Sequence, residues 1–255
     1  AVGHDTVLLL HESVQIQSLK RGANHTTWTL SALTPSMYPT FDYSTIGEAT
    51  NYRVAGFTFQ PSATTGAITI TASGVVFDAG HVNGLFRGNG GTARITSLAS
   101  TSVANATVLN AFTSAAVIAG NLCFLTEKMW GDTSGGTPAG NDRGWPSRGA
   151  FFLNRLVLGN SLQLANVVAF STAGVYDNFD DGIDPPDATT SFSISFNGKG
   201  AQSVQSIMAY DALVFLTSNK VFAQNPLVDT LTLIRFLSQI HRSPGARDAG
   251  VILPS

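Results

Sequence analysis

Five carboxylates crowd one short stretch of this 255-residue chain: Asp177-Asn-Phe-Asp180-Asp181-Gly182-Ile-Asp184-Pro-Pro-Asp187. Closely spaced carboxylates are what a calcium ion takes as ligands, and a carboxylate pair is what glycoside hydrolysis needs. Asp177, Asp181 and Asp184 are the candidate metal ligands. A calcium loop begun at Asp177 places Asp181 and Gly182 correctly, but puts Phe179 at the third ligand position and Ala188 where the bidentate glutamate belongs. A glycosidase pair needs a defined separation across a sugar, which spacing in the sequence does not fix. A solvated acidic loop is the favoured reading, with calcium or glycan binding as the alternative.

The other reactive residues are scattered. His4, His11, His25, His81 and His241 never pair at i, i+4, and no H-E-x-x-H or G-x-S-x-G is present. Gly88-Asn-Gly90-Gly91-Thr-Ala93 matches a loose nucleotide-loop pattern. The residues that follow it are strand-like rather than helical, so a hairpin turn is expected. Cys123 is the one cysteine and sits in an apolar stretch, which excludes an internal disulfide and suits a buried small apolar residue. Asn24-His-Thr26 and Asn105-Ala-Thr107 fit the glycosylation sequon by chance. Trp28 alternates on a strand and is assigned to the core. Trp130 and Trp145 flank a Gly/Ser/Thr-rich loop at 131–143 and, with Tyr176, are the candidates for subunit or partner contacts. No enzyme and no cofactor is expected.

Composition narrows the class. Charged residues make up 12% and the net charge is −2, so the basic stripe of a duplex-DNA binder is missing. A surface of Ser, Thr, Asn, Gln and Gly suits sheets that pack against other protein. No apolar run approaches the roughly 18 residues of a membrane span. The chain opens at Ala1 without methionine and closes just after an apolar run, so a processed or partial chain is expected.

Those side chains must be positioned by strands, because short alternating runs between turn residues recur throughout. Residues 6–10, 26–30, 67–72, 75–77, 85–87, 93–98, 106–109, 150–153, 156–158, 167–170, 191–196, 207–209, 213–217, 221–224 and 231–236 read as strands. Residues 36–51 read as an extended linker, and 111–125 as the one candidate helix. The fold class is all-β.

The run GWPSRGAFFLNRLVLGNSLQLANVVAFSTAGVYDNF, residues 144–179, resembles the nozzle (tail tubular protein B) family of short-tailed bacteriophages. Residues 5–30 resemble that family's opening, with Val14, Gln15 and Ile16 where it has prolines. Residues 65–87, including the His81-Val-Asn-Gly84 corner, resemble its inserted module, and residues 211–224 its next strand-turn-strand. The resemblance implies a propeller-like antiparallel body (1–36 and 129–255) interrupted by a small β-barrel or sandwich domain (37–128). It implies a virion protein assembled in the host cytoplasm: a homohexameric ring that forms the distal DNA channel without sequence-specific binding, meets the tail adaptor and carries fibres or spikes. No membrane insertion is implied. A carbohydrate-binding or carbohydrate-cleaving receptor-recognition protein is the alternative.

Overall fold

The computed structural model describes residues 6–24, 26–42, 56–131, 143–182, 187–198, 200–224 and 241–242. Among them every pairing between the strands named below is antiparallel, and Ala79–His81 and Gly120–Leu122 are short 3-10 turns. No helix among the described residues is long and apolar enough to cross a membrane.

Strands β1 (Thr6–His11), β2 (Val14–Arg21) and β3 (Trp28–Ala32) form a meander in which Val7 faces Leu19, Leu19 faces Leu30 and Arg21 faces Trp28. Because side chains alternate, Ile16 and Ser18 point into the body while their neighbours point away. The outer face therefore leaves Val7 51%, Leu9 46%, Trp28 55% and Leu30 58% exposed. This corrects the core assignment of Trp28: β3 is an edge strand, and no described layer covers its outer face. Next, β4 (Thr40–Phe41) is a short strand within the expected linker.

The inserted module is a seven-stranded sheet built from β5 (Thr58–Pro61), β6 (Ala67–Ala72), β7 (Leu85–Gly88), β8 (Gly91–Ser100), β9 (Val103–Asn110), β10 (Ile118–Ala119) and β11 (Phe124–Leu125). Its spatial order is β10-β5-β6-β9-β8-β7-β11. One face holds Phe59, Ile68, Ile70, Phe86, Ile95 and Phe112 in a common core that also encloses Cys123. The expected hairpin is present: Gly88 faces Gly91 across Asn89 and Gly90, with φ 43° and 70°, the left-handed pair a two-residue turn requires. Residues 75–77 are no strand. The N–H groups of Val76 and Phe77 both donate to the Thr101 carbonyl, which takes them out of any ladder. The candidate helix at 111–125 is also overturned, since β10, a 3-10 turn (Gly120–Leu122) and β11 occupy it. Its β-branched Val117 and Ile118 and its Gly120-Asn121 pair disfavour a helix. β12 (Glu127–Lys128) then pairs with β4, so the chain enters and leaves the module through one two-stranded neck.

β13 (Arg148–Phe152), β14 (Arg155–Gly159), β15 (Val167–Phe170) and β16 (Phe192–Ser195) make a four-stranded meander. Leu153 and Asn154, at φ 43° and 61°, turn β13 into β14. β14 and β15 are buried on both sides, which explains why they are continuous apolar runs. On one side Val157, Val168 and Phe170 pack against Val204, Ile207, Leu213 and Phe215. On the other, Leu156, Leu158 and Ala169 meet Ile16, Trp130 and Phe179. A small ribbon, β17 (Asn197–Gly198) and β18 (Gly200–Ala201), precedes β19 (Val204–Ala209), β20 (Leu213–Thr217), β21 (Val221–Gln224) and β22 (His241–Arg242). The meanders thus stack in layers, β1–β3 and β19–β22 on either side of β13–β16. The strand expected at 231–236 lies outside the described residues. Phe170 stacks on Phe192 at 4.4 Å and meets Phe215 edge-on at 6.4 Å. Phe170→Ala is expected to cost about 3–5 kcal/mol in urea unfolding.

Candidate functional site

The densest buried group of ionisable side chains lies at the neck. Asp78 caps the 3-10 turn Ala79–His81: its Oδ1 accepts from the Gly80 N–H at 2.8 Å, and the His81 ring turns back so that Nδ1 lies 3.1 Å from the Asp78 N–H. Nδ1 is also 3.0 Å from Asp78 Oδ1, and Nε2 is 3.4 Å from Oε1 of Glu127 on β12. The Arg143 guanidinium pairs with Glu127 Oε2. His81, Glu127 and Arg143 are buried, and the edge of Phe77 closes over the imidazole at 5.9 Å. Two glycines make this approach possible. A Cβ on Gly80 would lie 2.9 Å from Glu127 Oε2, and one on Gly84 would lie 2.2 Å from the Thr126 carbonyl oxygen. Burial pushes the Glu127 carboxyl up to about 7, against the opposing pull of His81 and Arg143.

Asp78, His81 and Glu127 are the one trio of metal-type ligands within reach of each other among the described residues. The two carboxylates, however, meet opposite nitrogens of one imidazole. One ring nitrogen and one oxygen of each carboxylate nevertheless lie within 4.8 Å of one another. His81 looked isolated in the sequence. The signal that could have found it was the His81–Gly84 corner with its tight glycine.

Within the acidic stretch Asp180 and Asp181 are tied into the fold rather than solvated, while Asp187 is exposed. Asp180 pairs with Arg94 of β8 and also accepts from the Gly182 N–H at 2.8 Å. Thr40 Oγ1 of β4 donates to Asp181 Oδ2 at 2.8 Å, while Asp181 Oδ1 is enclosed without a hydrogen-bond partner among the described residues. Burial pushes the Asp181 carboxyl up, and the Thr40 bonds and Arg94 charge pull it back. The Asp177 carbonyl accepts from the Ser36 N–H at 2.8 Å. Asp187 accepts from the N–H and hydroxyl groups of Thr189 and Thr190, which hold its carboxyl at about 2. Asp177 and Asp181 therefore join no three-ligand cluster among the described residues, and Asp184 lies outside them. Asp180 and Asp181 tie the module and neck to the body.

Of the candidate contact residues, Trp130 and Trp145 are buried in the core: Trp130 against Phe179 at 5.2 Å, Trp145 against Tyr38 at 6.3 Å. Their rings are spent inside the chain because both faces of β13–β16 require a cover. Tyr176 is half-exposed, edge-on to Phe151 at 5.2 Å.

Sequence reasoning missed Arg155, which is 1% exposed. It donates to the carbonyls of Ser171, Thr190 (3.0 Å) and Ala188 (2.8 Å) and lies over the Phe192 ring at 5.4 Å. No protein-family model matches the chain, and no curated protein matches it.

Proposed function

We propose that the chain is a structural subunit of a short-tailed phage tail, a nozzle component that packs with its own copies around the distal DNA channel. The phage reading rests on the resemblance over residues 144–179. In the fold, the residues that carry it act as anchors: Trp145, Arg155 and Phe179 are all buried. The observation that carries the packing is the outer face of β1–β3. Val7, Leu9, Trp28 and Leu30 form an uncovered apolar sheet face at the end of a stack of sheets, and a contiguous patch of that kind marks a protein contact. A neighbouring subunit would continue the stack there, in a propeller-like arrangement. In this reading the adaptor sits above the ring, fibres or spikes attach outside it, and near-neutral charge lets DNA pass without being held.

Light scattering over a concentration series, followed by electron microscopy of the assembled species, tests the reading. The expected result is a closed ring near six subunits with a central channel. Leu30→Asp is expected to leave a monomer that still folds, because Leu30 is a surface residue in the single chain. A parent chain that stays monomeric at every concentration, or a variant that assembles normally, counts against it.

A further inference from the structure

We propose that Asp78, His81 and Glu127 bind one divalent first-row transition-metal ion, of the zinc or manganese kind, which fastens the inserted sheet to β12. Each side chain brings one ligand atom, and the three atoms lie within 4.8 Å of one another. The imidazole is short of donors. A neutral ring carries one N–H, yet His81 has a carboxylate at each nitrogen: Asp78 Oδ1 lies 3.0 Å from Nδ1 and Glu127 Oε1 lies 3.4 Å from Nε2. With Nδ1 accepting from the Asp78 N–H at 3.1 Å, its lone pair also faces the Asp78 carboxylate. With Nδ1 donating to that carboxylate, the Nε2 lone pair faces Glu127 instead. Either tautomer leaves a lone pair and a carboxylate facing each other in a buried site, which is a place for a cation. A metal ion takes the lone pair, the facing carboxylate is its next ligand, and the other carboxylate is within reach. A shared proton is the competing cation, but a charged N–H···O pair draws in to about 2.7–2.9 Å. The Nε2–Oε1 separation of 3.4 Å is longer than that. It matches two ligands of one ion, which stand roughly 3–4 Å apart when the bonds are about 2.0–2.2 Å.

Each ligand is steadied by a partner that is not a ligand, as metal sites require. The Gly80 N–H donates to Asp78 Oδ1 at 2.8 Å. Arg143 pairs with Glu127 Oε2 and leaves Oε1 facing the ring. Phe77 meets the imidazole edge-on, and Asp78 and Arg143 have further partners in the fold. Gly80 lets both carboxylates come in together, since a Cβ there would lie 2.9 Å from Glu127 Oε2 and 3.0 Å from Asp78 Oδ1. The donor set selects the class of ion: imidazole with carboxylate suits zinc, manganese and their neighbours, whereas calcium and magnesium take oxygen ligands. Asp78 and His81 belong to the 3-10 turn of the module and Glu127 to β12, so binding the ion closes the neck. That closure matters because β4 and β12 pair over two residues each, and a ribbon that short is not stable alone. Metal affinity gained there is folding free energy. The site is complete within one chain and does not depend on assembly.

The full chain, stripped with a chelator and dialysed, is titrated calorimetrically with zinc chloride and, separately, with manganese, calcium and magnesium chloride. One zinc or manganese ion per chain is expected, with calcium and magnesium at least about tenfold weaker. The bound form is expected to melt at a higher temperature. His81→Ala and Glu127→Gln are each expected to weaken binding by about a hundredfold or more. His11→Ala, at the exposed end of β1, is expected to leave it unchanged. The site is overturned by a folded parent that takes up neither zinc nor manganese, by equal affinity for calcium, by uptake that survives both neck substitutions, or by equal loss in His11→Ala. Should the neck variants not fold, X-ray absorption at the zinc edge of the parent complex decides alone. One imidazole with oxygen neighbours around the ion supports the site. Two or more imidazoles, or none, overturn it.

Discussion

Arg155→Ala is expected to be the most damaging single substitution in the body, costing more than about 4 kcal/mol in urea unfolding. The side chain reaches from the start of β14 to three backbone carbonyls, those of Ser171, Ala188 and Thr190, and so pins both ends of the long connection between β15 and β16. The carbonyls of Ser171 and Thr190, left without a donor in the interior, each cost about 1–3 kcal/mol, whereas that of the exposed Ala188 can turn to water. The face of Phe192 loses its cation as well. Arg155→Lys is expected to recover only part of the loss. A single ammonium at the end of a flexible stem cannot reproduce the planar fork that serves carbonyls in two directions. A cost below about 1 kcal/mol for Arg155→Ala would show that the connection holds itself in place.

Gly84→Ala is expected to be nearly as severe, by about 3 kcal/mol or more, although it adds a single methyl group. The new Cβ would sit 2.2 Å from the Thr126 carbonyl oxygen and 2.8 Å from that of His81. Both are backbone atoms, so no rotamer change relieves the clash. The segment is held on every side: Gly84 N–H donates to His81, Ile95 N–H to Gly84, and Thr126 N–H to Leu85. The strain would be transmitted to Glu127 and His81 at the neck. Gly56→Ala is the control, since its Cβ would meet no atom within 4 Å. Melting temperatures of the two variants should differ widely, and similar values would refute the tight-corner account.

The strands were legible because pleated structure writes its period into the side chains. Phe192, Ile194 and Phe196 alternate with serines, and all three are buried. The runs at Val167–Phe170, Leu213–Thr217 and Val221–Gln224 coincide with strands end to end. Alternation tells that two faces differ, but not which one finds a cover. Trp28 and Leu30 share a face, as expected, yet that face is the open one. β2 escaped notice for a related reason: in Val-Gln-Ile-Gln-Ser-Leu-Lys-Arg the buried positions include Ser18, so its pattern is less apolar than its packing. The neck cluster was invisible because its partners are far apart in sequence. His81 and Glu127 are 46 positions apart, Arg94 and Asp180 are 86, and no periodicity joins them. The acidic stretch misled in the opposite sense. Its local density of carboxylates suggested a shared ligand, whereas Asp180 and Asp181 each leave for a different strand.

Cys123 is enclosed in the core of the seven-stranded sheet, where burial pushes its thiol up to about 11. At pH 7.5 that leaves only about one thiolate in several thousand, and the thiolate is the form that reacts. The parent chain is therefore a silent background for maleimide chemistry. A cysteine introduced at Tyr210, which is 90% exposed at the turn between β19 and β20, should take up a fluorophore or spin label selectively without first removing the native thiol. One label per chain, placed in this way, would make subunit spacing in an assembly directly measurable by energy transfer or dipolar spectroscopy.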